Sequence, residues 1–307
     1  MATPFLSIIT PSFNRAGMIA DAIESVLSQG FSGFEHIIVD GASTDETLEV
    51  LARYPHLRVV SEPDRGMYDA INKGLRLARG SVVAWLNTDD VYPPGTFAAV
   101  ADAFSAHPEA LTVSGGAETF EMTADGSHIL KTERAIDDVD FWRRIVEAPV
   151  PNGWFFRMPL FEKVGFFNPE FRLVADRDLI IRIALAGIRP LPVDRMLYRY
   201  RMHEGSATFQ SEDSRHPVYG PRRMLVNRED LRMLAGFFAR PDLPPPVRRV
   251  MVHANSEYAY RLAATALYHR RWDLVREGVW SGFRWNPFFP LSFMRFALRR
   301  LFQRGVQ

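Results

Sequence analysis

The sequence predicts an α/β fold, a mostly parallel sheet flanked by helices and followed by a helical C-terminal extension. Three observations carry this. Short apolar runs rich in β-branched residues recur through residues 5–90 and close on polar or acidic residues. Apolar residues return at helical spacing between them, and Gly or Pro marks most borders. Strands alternating with helices imply parallel pairing with right-handed crossovers, which gather the strands' carboxyl ends on one rim, where such sheets bind ligands.

The first strand is Phe5 to Thr10, stopped by Pro11; a helix follows on Met18, Ile19, Ala22, Ile23, Val26 and Leu27, closed by Gly30. His36 to Asp40 is the second strand, and the next helix carries Leu48, Val50 and Leu51, with Ser43 or Thr44 as its N-cap. Leu57 to Val60 is the third strand, before a helix with Ala70, Ile71, Leu75, Leu77 and Ala78 that ends at Gly80. The fourth strand, Val82 to Leu86, runs into Asn87-Thr88-Asp89-Asp90. Beyond about Leu111 short strands and a hairpin turning at Asp125-Gly126 are expected, then a strand at Trp154 and a helix from about Leu179 to Gly187. Arg201 to Arg222 reads as a mobile loop, followed by helices over 222–238, 246–269 and 272–283. The expected domains are residues 1–215 and a helical extension, 216–307.

Composition narrows the chemistry. At 307 residues and 47% hydrophobic content the chain suffices for a real core, and 37 basic against 36 acidic residues argue against a surface built for nucleic acid. With no cysteine, disulfides and thiolate chemistry are excluded, and any metal is held by oxygen or imidazole, which favours Mg²⁺ or Mn²⁺. No secretory leader or membrane-spanning run is evident, so a cytoplasmic protein is expected. From Pro290 to Arg304, Leu291, Met294, Leu298 and Leu301 lie toward one face and four arginines toward another, which suggests peripheral contact with the inner face of a membrane.

Asp89 and Asp90 repel one another unless a divalent cation or a bound hydroxyl uses both charges. A metal-diphosphate site at the end of the fourth strand is therefore expected. Pro11-Ser12-Phe13-Asn14 contains no glycine-rich turn, which argues against a dinucleotide dehydrogenase or a nucleotidyltransferase phosphate loop.

The ordered segments Ser7–Arg15, Val39–Asp45, Asp64-Arg-Gly, Asn72-Lys-Gly74, Asn87–Asp90, Ala175–Asp178 and His203 resemble glycosyltransferase family 2, over roughly Phe5 to Thr208. The resemblance implies a Rossmann-like GT-A fold and an inverting enzyme that moves a sugar from a nucleotide diphosphate sugar, commonly a UDP-sugar, to an acceptor hydroxyl. A glycan or lipid-linked acceptor and a role in cell-surface polysaccharide synthesis are implied with it.

Carried over by motif, Asp40 meets the base, with Pro11, Phe13 and Asn14 as its wall and Arg65 on base or ribose. Asn87 and Asp89 contact the nucleotide. Asp89, Asp90 and His203 are the implied ligands of Mn²⁺ or Mg²⁺, and Asp176 the implied general base, with Asp178 as a helix-starting acid. Trp154 is a candidate for stacking on the acceptor. Two positions depart from the family pattern, Asn87 and Ala175, each replacing an acid. They motivate the alternative of a catalytically inactive nucleotide-sugar-binding module acting as an assembly partner.

Overall fold

The computed structural model describes residues 3–123, 125–136, 141–147, 153–203, 220–291 and 294. Its contacts divide the chain into one unit of residues 1–145 and 149–202, and a second of 146–148 and 203–307. Of the loop expected over Arg201 to Arg222, residues 204–219 lie outside the described residues, as does most of the basic C-terminal stretch; the ends of that expected loop are not loop, Arg201 and Met202 being strand and Pro221 and Arg222 helix.

In the first unit, β1 (Leu6–Ser12), α1 (Ile19–Leu27), β2 (Phe34–Asp40), α2 (Thr47–Leu51), β3 (Leu57–Ser61), α3 (Met67–Leu77) and β4 (Val82–Trp85) follow the predicted alternation. β1 pairs in parallel with β2 and β4, and β2 with β3. All seven residues of β1 are buried, because both sheet faces are covered. Pro11 does not stop the strand. It lies within β1, whose pairing with β2 runs through Ser12 against Asp40.

After α4 (Thr96–Ala106) the pattern reverses. β5 (Thr112–Thr123) and β6 (Gly126–Glu133) form the predicted hairpin, α5 spans Phe141–Glu147, β7 Trp154–Arg157 and α6 Pro159–Val164, before α7 (Ala175–Leu185) and β8 (Leu191–Met202). β7 lies antiparallel to both β4 and β5, while β8 is parallel to β5. The strand order is β3-β2-β1-β4-β7-β5-β6 with β8 beside β5, so the sheet is parallel through its first half and carries its antiparallel pairings in the second.

Three packing features fix the rim. Gly74 of α3 sits so close to β1 that a Cβ there would lie 2.4 Å from Ile9 Cγ2. At the opposite end, Ser7 donates to Glu35 at 2.7 Å and accepts from the Gly80 amide at 2.8 Å, tying β1, β2 and the start of β4. His36, fully buried in β2, has Thr10 Oγ1 2.9 Å from its Nε2.

The second unit contains α8 (Pro221–Phe238), α9 (Pro245–Tyr268) and α10 (Trp272–Trp285). α10 packs on α9 through Gly278, where a Cβ would lie 2.9 Å from the Ala259 carbonyl oxygen. Asn255 donates to the Ser281 carbonyl at 3.0 Å, and Phe238 stacks on Trp285 with centroids 4.6 Å apart. Among the described residues no helix is long and apolar enough to cross a membrane.

Candidate active site

The loops after β1 and β2 are stitched to one another. Asn14 Oδ1 accepts from the Thr44 amide at 2.8 Å, and the Asn14 amide donates to Ser43 Oγ at 2.8 Å. Thr47 Oγ1 accepts from the Arg15 amide at 2.8 Å. Asn14 and Ala42 hold positive φ values of 53° and 63°, an uncommon backbone that the cross-ties sustain. The Asn14 side chain is therefore committed to loop structure. Ser43 does not cap α2, whose N-cap is Glu46. It donates instead to Asp40, from Oγ to Oδ1 at 2.5 Å and from its amide to Oδ2 at 2.9 Å.

Asp40 ends β2 with no exposed surface, and its Oδ2 also accepts the Ser61 hydroxyl at 2.7 Å. Beside it, Gly41 leaves space for two neighbours: a Cβ there would meet Asp64 Oδ2 at 2.7 Å and Phe13 Cδ2 at 3.4 Å. Asp64 Oδ1 accepts from the Gly66 amide at 2.8 Å, while Oδ2 has no hydrogen-bond partner among the described residues. Phe13 is 56% exposed on this rim. Arg65 is exposed and pairs with Asp69 at 3.3 Å. In the sequence Asp64 stands only as part of the Asp64-Arg-Gly segment and not as a binding candidate; the glycine directly after Asp40 was the available sign, since only a missing side chain lets a second acid approach so closely.

The two acids after β4 have separate environments. Asp90 is fully buried, its Oδ2 accepting from the Tyr198 hydroxyl at 2.6 Å and Asn87 Nδ2 at 3.0 Å, and its Oδ1 from the Arg201 amide at 2.8 Å. Burial, with the Asp89 carboxylate adjacent, pushes its carboxyl well above the usual range, against the pull of those donors. Asp89 is half-buried. Asn87 Oδ1 is a buried acceptor without a hydrogen-bond partner among the described residues.

The acids of α7 divide in the same way. The helix begins at Ala175, not near Leu179, so Asp176 lies in its first turn and Asp178 deeper within it. Asp178 is 7% exposed and locked to Arg182 by contacts of 2.9 and 2.8 Å, rather than capping the helix. Burial raises its carboxyl, and the Arg182 charge offsets part of this. Arg182 also donates to the Phe166 carbonyl at 2.8 Å and to the Val164 carbonyl. Asp176 stays half-buried, accepts from the Arg177 amide at 2.7 Å, and is hydrogen-bonded to buried Tyr68, whose hydroxyl is raised well above its ordinary range by burial and by this carboxylate. Tyr68 stacks on Phe167 at 5.2 Å, and Phe167 meets Trp85 of β4 edge-on at 5.0 Å. A chain of contacts thus runs from Asp176 to the strand that delivers Asp89.

A family model, Glycosyl transferase family 2, matches residues 7–165 of the 307. The chain belongs to this family. This glycosyltransferase is 32% identical over 188 residues to a PGL/p-HBAD biosynthesis glycosyltransferase of Mycobacterium tuberculosis, covering 59% of this chain and 70% of that protein. An uncharacterized glycosyltransferase of Nostoc is 27% identical over 279 residues, covering 83% and 85%. Among solved structures, the mannosyltransferase PcManGT of Pyrobaculum calidifontis, in complex with GDP-Man and Mn²⁺, superposes with a TM-score of 0.59 at 19% identity over 98% of this chain and 88% of that one. S. aureus TarS 1-349 in complex with UDP-GlcNAc gives 0.57 at 17%, over 94% and 91%. These likenesses establish the fold as GT-A.

One expected residue stands apart from the glycosyltransferase rim. Trp154 is 2% exposed and stacks on Phe156 at 6.1 Å, a core position with no face for an acceptor sugar. His203 follows the last residue of β8 and belongs to the second unit. Among the described residues no three His, Asp or Glu side chains are grouped as metal ligands. The donors present nonetheless suit a hard cation: Asp89 supplies a carboxylate and Asn87 an unpartnered amide oxygen, and Mg²⁺-like ions complete such sites with substrate phosphates and water.

Proposed function

We propose that this glycosyltransferase is an inverting, metal-dependent enzyme taking a nucleotide diphosphate sugar, UDP-sugar favoured, to a hydroxyl of a glycan or lipid-linked acceptor, with 1–215 as the catalytic domain and 216–307 as the extension. One observation supports it most: in each acid pair one carboxylate is consumed inside the protein, Asp90 by Tyr198 and Arg201, Asp178 by Arg182, while Asp89 and Asp176 keep exposed surface. Buried, satisfied acids build; partly exposed ones react.

In this reading Phe13 and Pro11 form the base wall, and Asp64, Asp40 and Arg65 take its polar edge and the ribose. Carboxylates accept from the imide of uracil, and Asp64 Oδ2 is the acceptor not already used. Asp89 and Asn87 Oδ1 would hold Mn²⁺ or Mg²⁺, and Asp90 sets the loop that carries Asp89. Bound, the ion neutralises charge on the diphosphate. Asp176 takes the proton from the acceptor hydroxyl as its oxygen bonds to the anomeric carbon and the bond to diphosphate breaks. A cytoplasmic location, with peripheral contact by residues 290–304, completes the proposal.

Nucleoside diphosphate release is measured from UDP-, GDP- and dTDP-sugars with Mn²⁺, Mg²⁺ or EDTA. Hydrolysis of one donor, lost in EDTA and in Asp89→Ala, supports the reading; donor binding unaffected by EDTA together with metal-independent hydrolysis refutes the metal assignment.

A further inference from the structure

α10 has two faces of opposite purpose. One is packed, through Leu274, Gly278 and Gly282. The other carries Trp272, Arg276 and Trp280 at successive four-residue steps, with Phe283 beside them, and the tryptophans are 64% and 70% exposed. Phe288 adds a 69% exposed ring just past the helix. Single exposed apolar residues are ordinary, but a stripe of large aromatics on one face marks an interaction surface.

Charge says what covers it. The acids on this helix are already answered: Asp273 by Arg271 at 2.8 Å, and Glu277 by Arg228 at 2.7 Å. Arg270 and Arg276 have no ion pair among the described residues, and Arg284 lies over the Trp285 ring at 5.0 Å. The face is cationic as well as aromatic. A second copy would bring like charge to it, as would residues 295–307, which hold four arginines and no acid. Nucleic acid would satisfy the arginines but not exposed Leu267 and Phe288. Rings at headgroup depth with arginines among anionic headgroups satisfy both features.

We propose that this face of α10 docks the enzyme on anionic lipid membrane. The surface lies outside the 290–304 stretch read from sequence, and it requires no particular donor, metal or base, so its failure and that of the catalytic reading are separable.

The test is flotation of the full chain with vesicles of phosphatidylcholine alone or mixed with phosphatidylglycerol, beside donor hydrolysis in solution. The chain is expected to float only with the anionic vesicles, less as salt rises. Trp272→Ser/Trp280→Ser/Phe283→Ser should lower the bound fraction about tenfold or more, and Arg276→Gln/Arg284→Gln should abolish binding at physiological salt, both with hydrolysis unchanged. Absence of flotation, undiminished flotation of the triple variant, a dimer that the triple variant dissolves, or binding to nucleic acid without flotation would each overturn the proposal.

Discussion

Tyr198 donates its hydroxyl to Asp90 Oδ2 at 2.6 Å, joining β8 to the turn after β4 inside the core. With the Arg201 amide on the other oxygen, strand β8 holds both sides of the carboxylate. Tyr198→Phe keeps the ring and deletes the donor, leaving a buried acid short of a partner, which costs about 1–3 kcal/mol. Denaturant unfolding should show that loss, and an unchanged midpoint would mean the bond contributes nothing.

Asp176 and Asp178 should separate experimentally. Asp176→Asn is expected to slow transfer by roughly 10²- to 10⁴-fold with donor affinity retained. Asp178→Asn removes the partner of Arg182 and should lower thermal stability first. Single-turnover kinetics and donor titration on both variants, with melting curves, would reveal a reversed pattern.

His36 predicts an acid-sensitive fold. Burial, assisted by His56, holds its imidazole down at about 3, against 6.5 for a free histidine. Between those values the unfolded chain binds a proton that the folded chain refuses. The stability His36 contributes is therefore complete above pH 6.5 and falls as pH drops toward 3, by at most about 1.4 kcal/mol per unit. His36→Gln should flatten the melting temperature over that window; an identical slope in the variant would assign the acid response elsewhere.

Gly74→Ala tests the seating of α3. A methyl group 2.4 Å from Ile9 Cγ2 forces the helix off β1, with an expected cost of about 1–3 kcal/mol. In an Ile9→Ala background, which lacks Cγ2 and Cγ1, the same substitution should cost less in a double-mutant comparison.

The first half of the fold was legible because β1, β2 and β4 are buried almost throughout and carry apolar runs, while β3 is a short, largely exposed edge strand placed by the alternation around it. The mixed second half was not. β8 alternates Tyr198, Tyr200 and Met202 with Arg199 and Arg201, a period-two pattern whose arginines mimic a solvated loop although Tyr198 is fully buried. The site's acids were visible in sequence, but their division into committed and exposed members was not: Tyr198 lies 108 positions from Asp90, and no local pattern carries that pairing. Trp154 was misplaced for a related reason, since a strand tryptophan looks alike whether it faces a sugar or Phe156.

Asn72 donates to the Phe167 carbonyl at 2.9 Å and accepts from the Phe167 amide at 3.0 Å, both bonds buried. One turn earlier on α3, Tyr68 holds Phe167 by its ring and Asp176 by its hydroxyl. The amino terminus of the same helix follows Asp64 and Arg65. In the function proposed above, α3 would carry the donor at one end and the seat of the proton acceptor along its shaft. A displacement at Gly66 would then reach Asp176 through the side chains of one rigid helix, rather than through a loop.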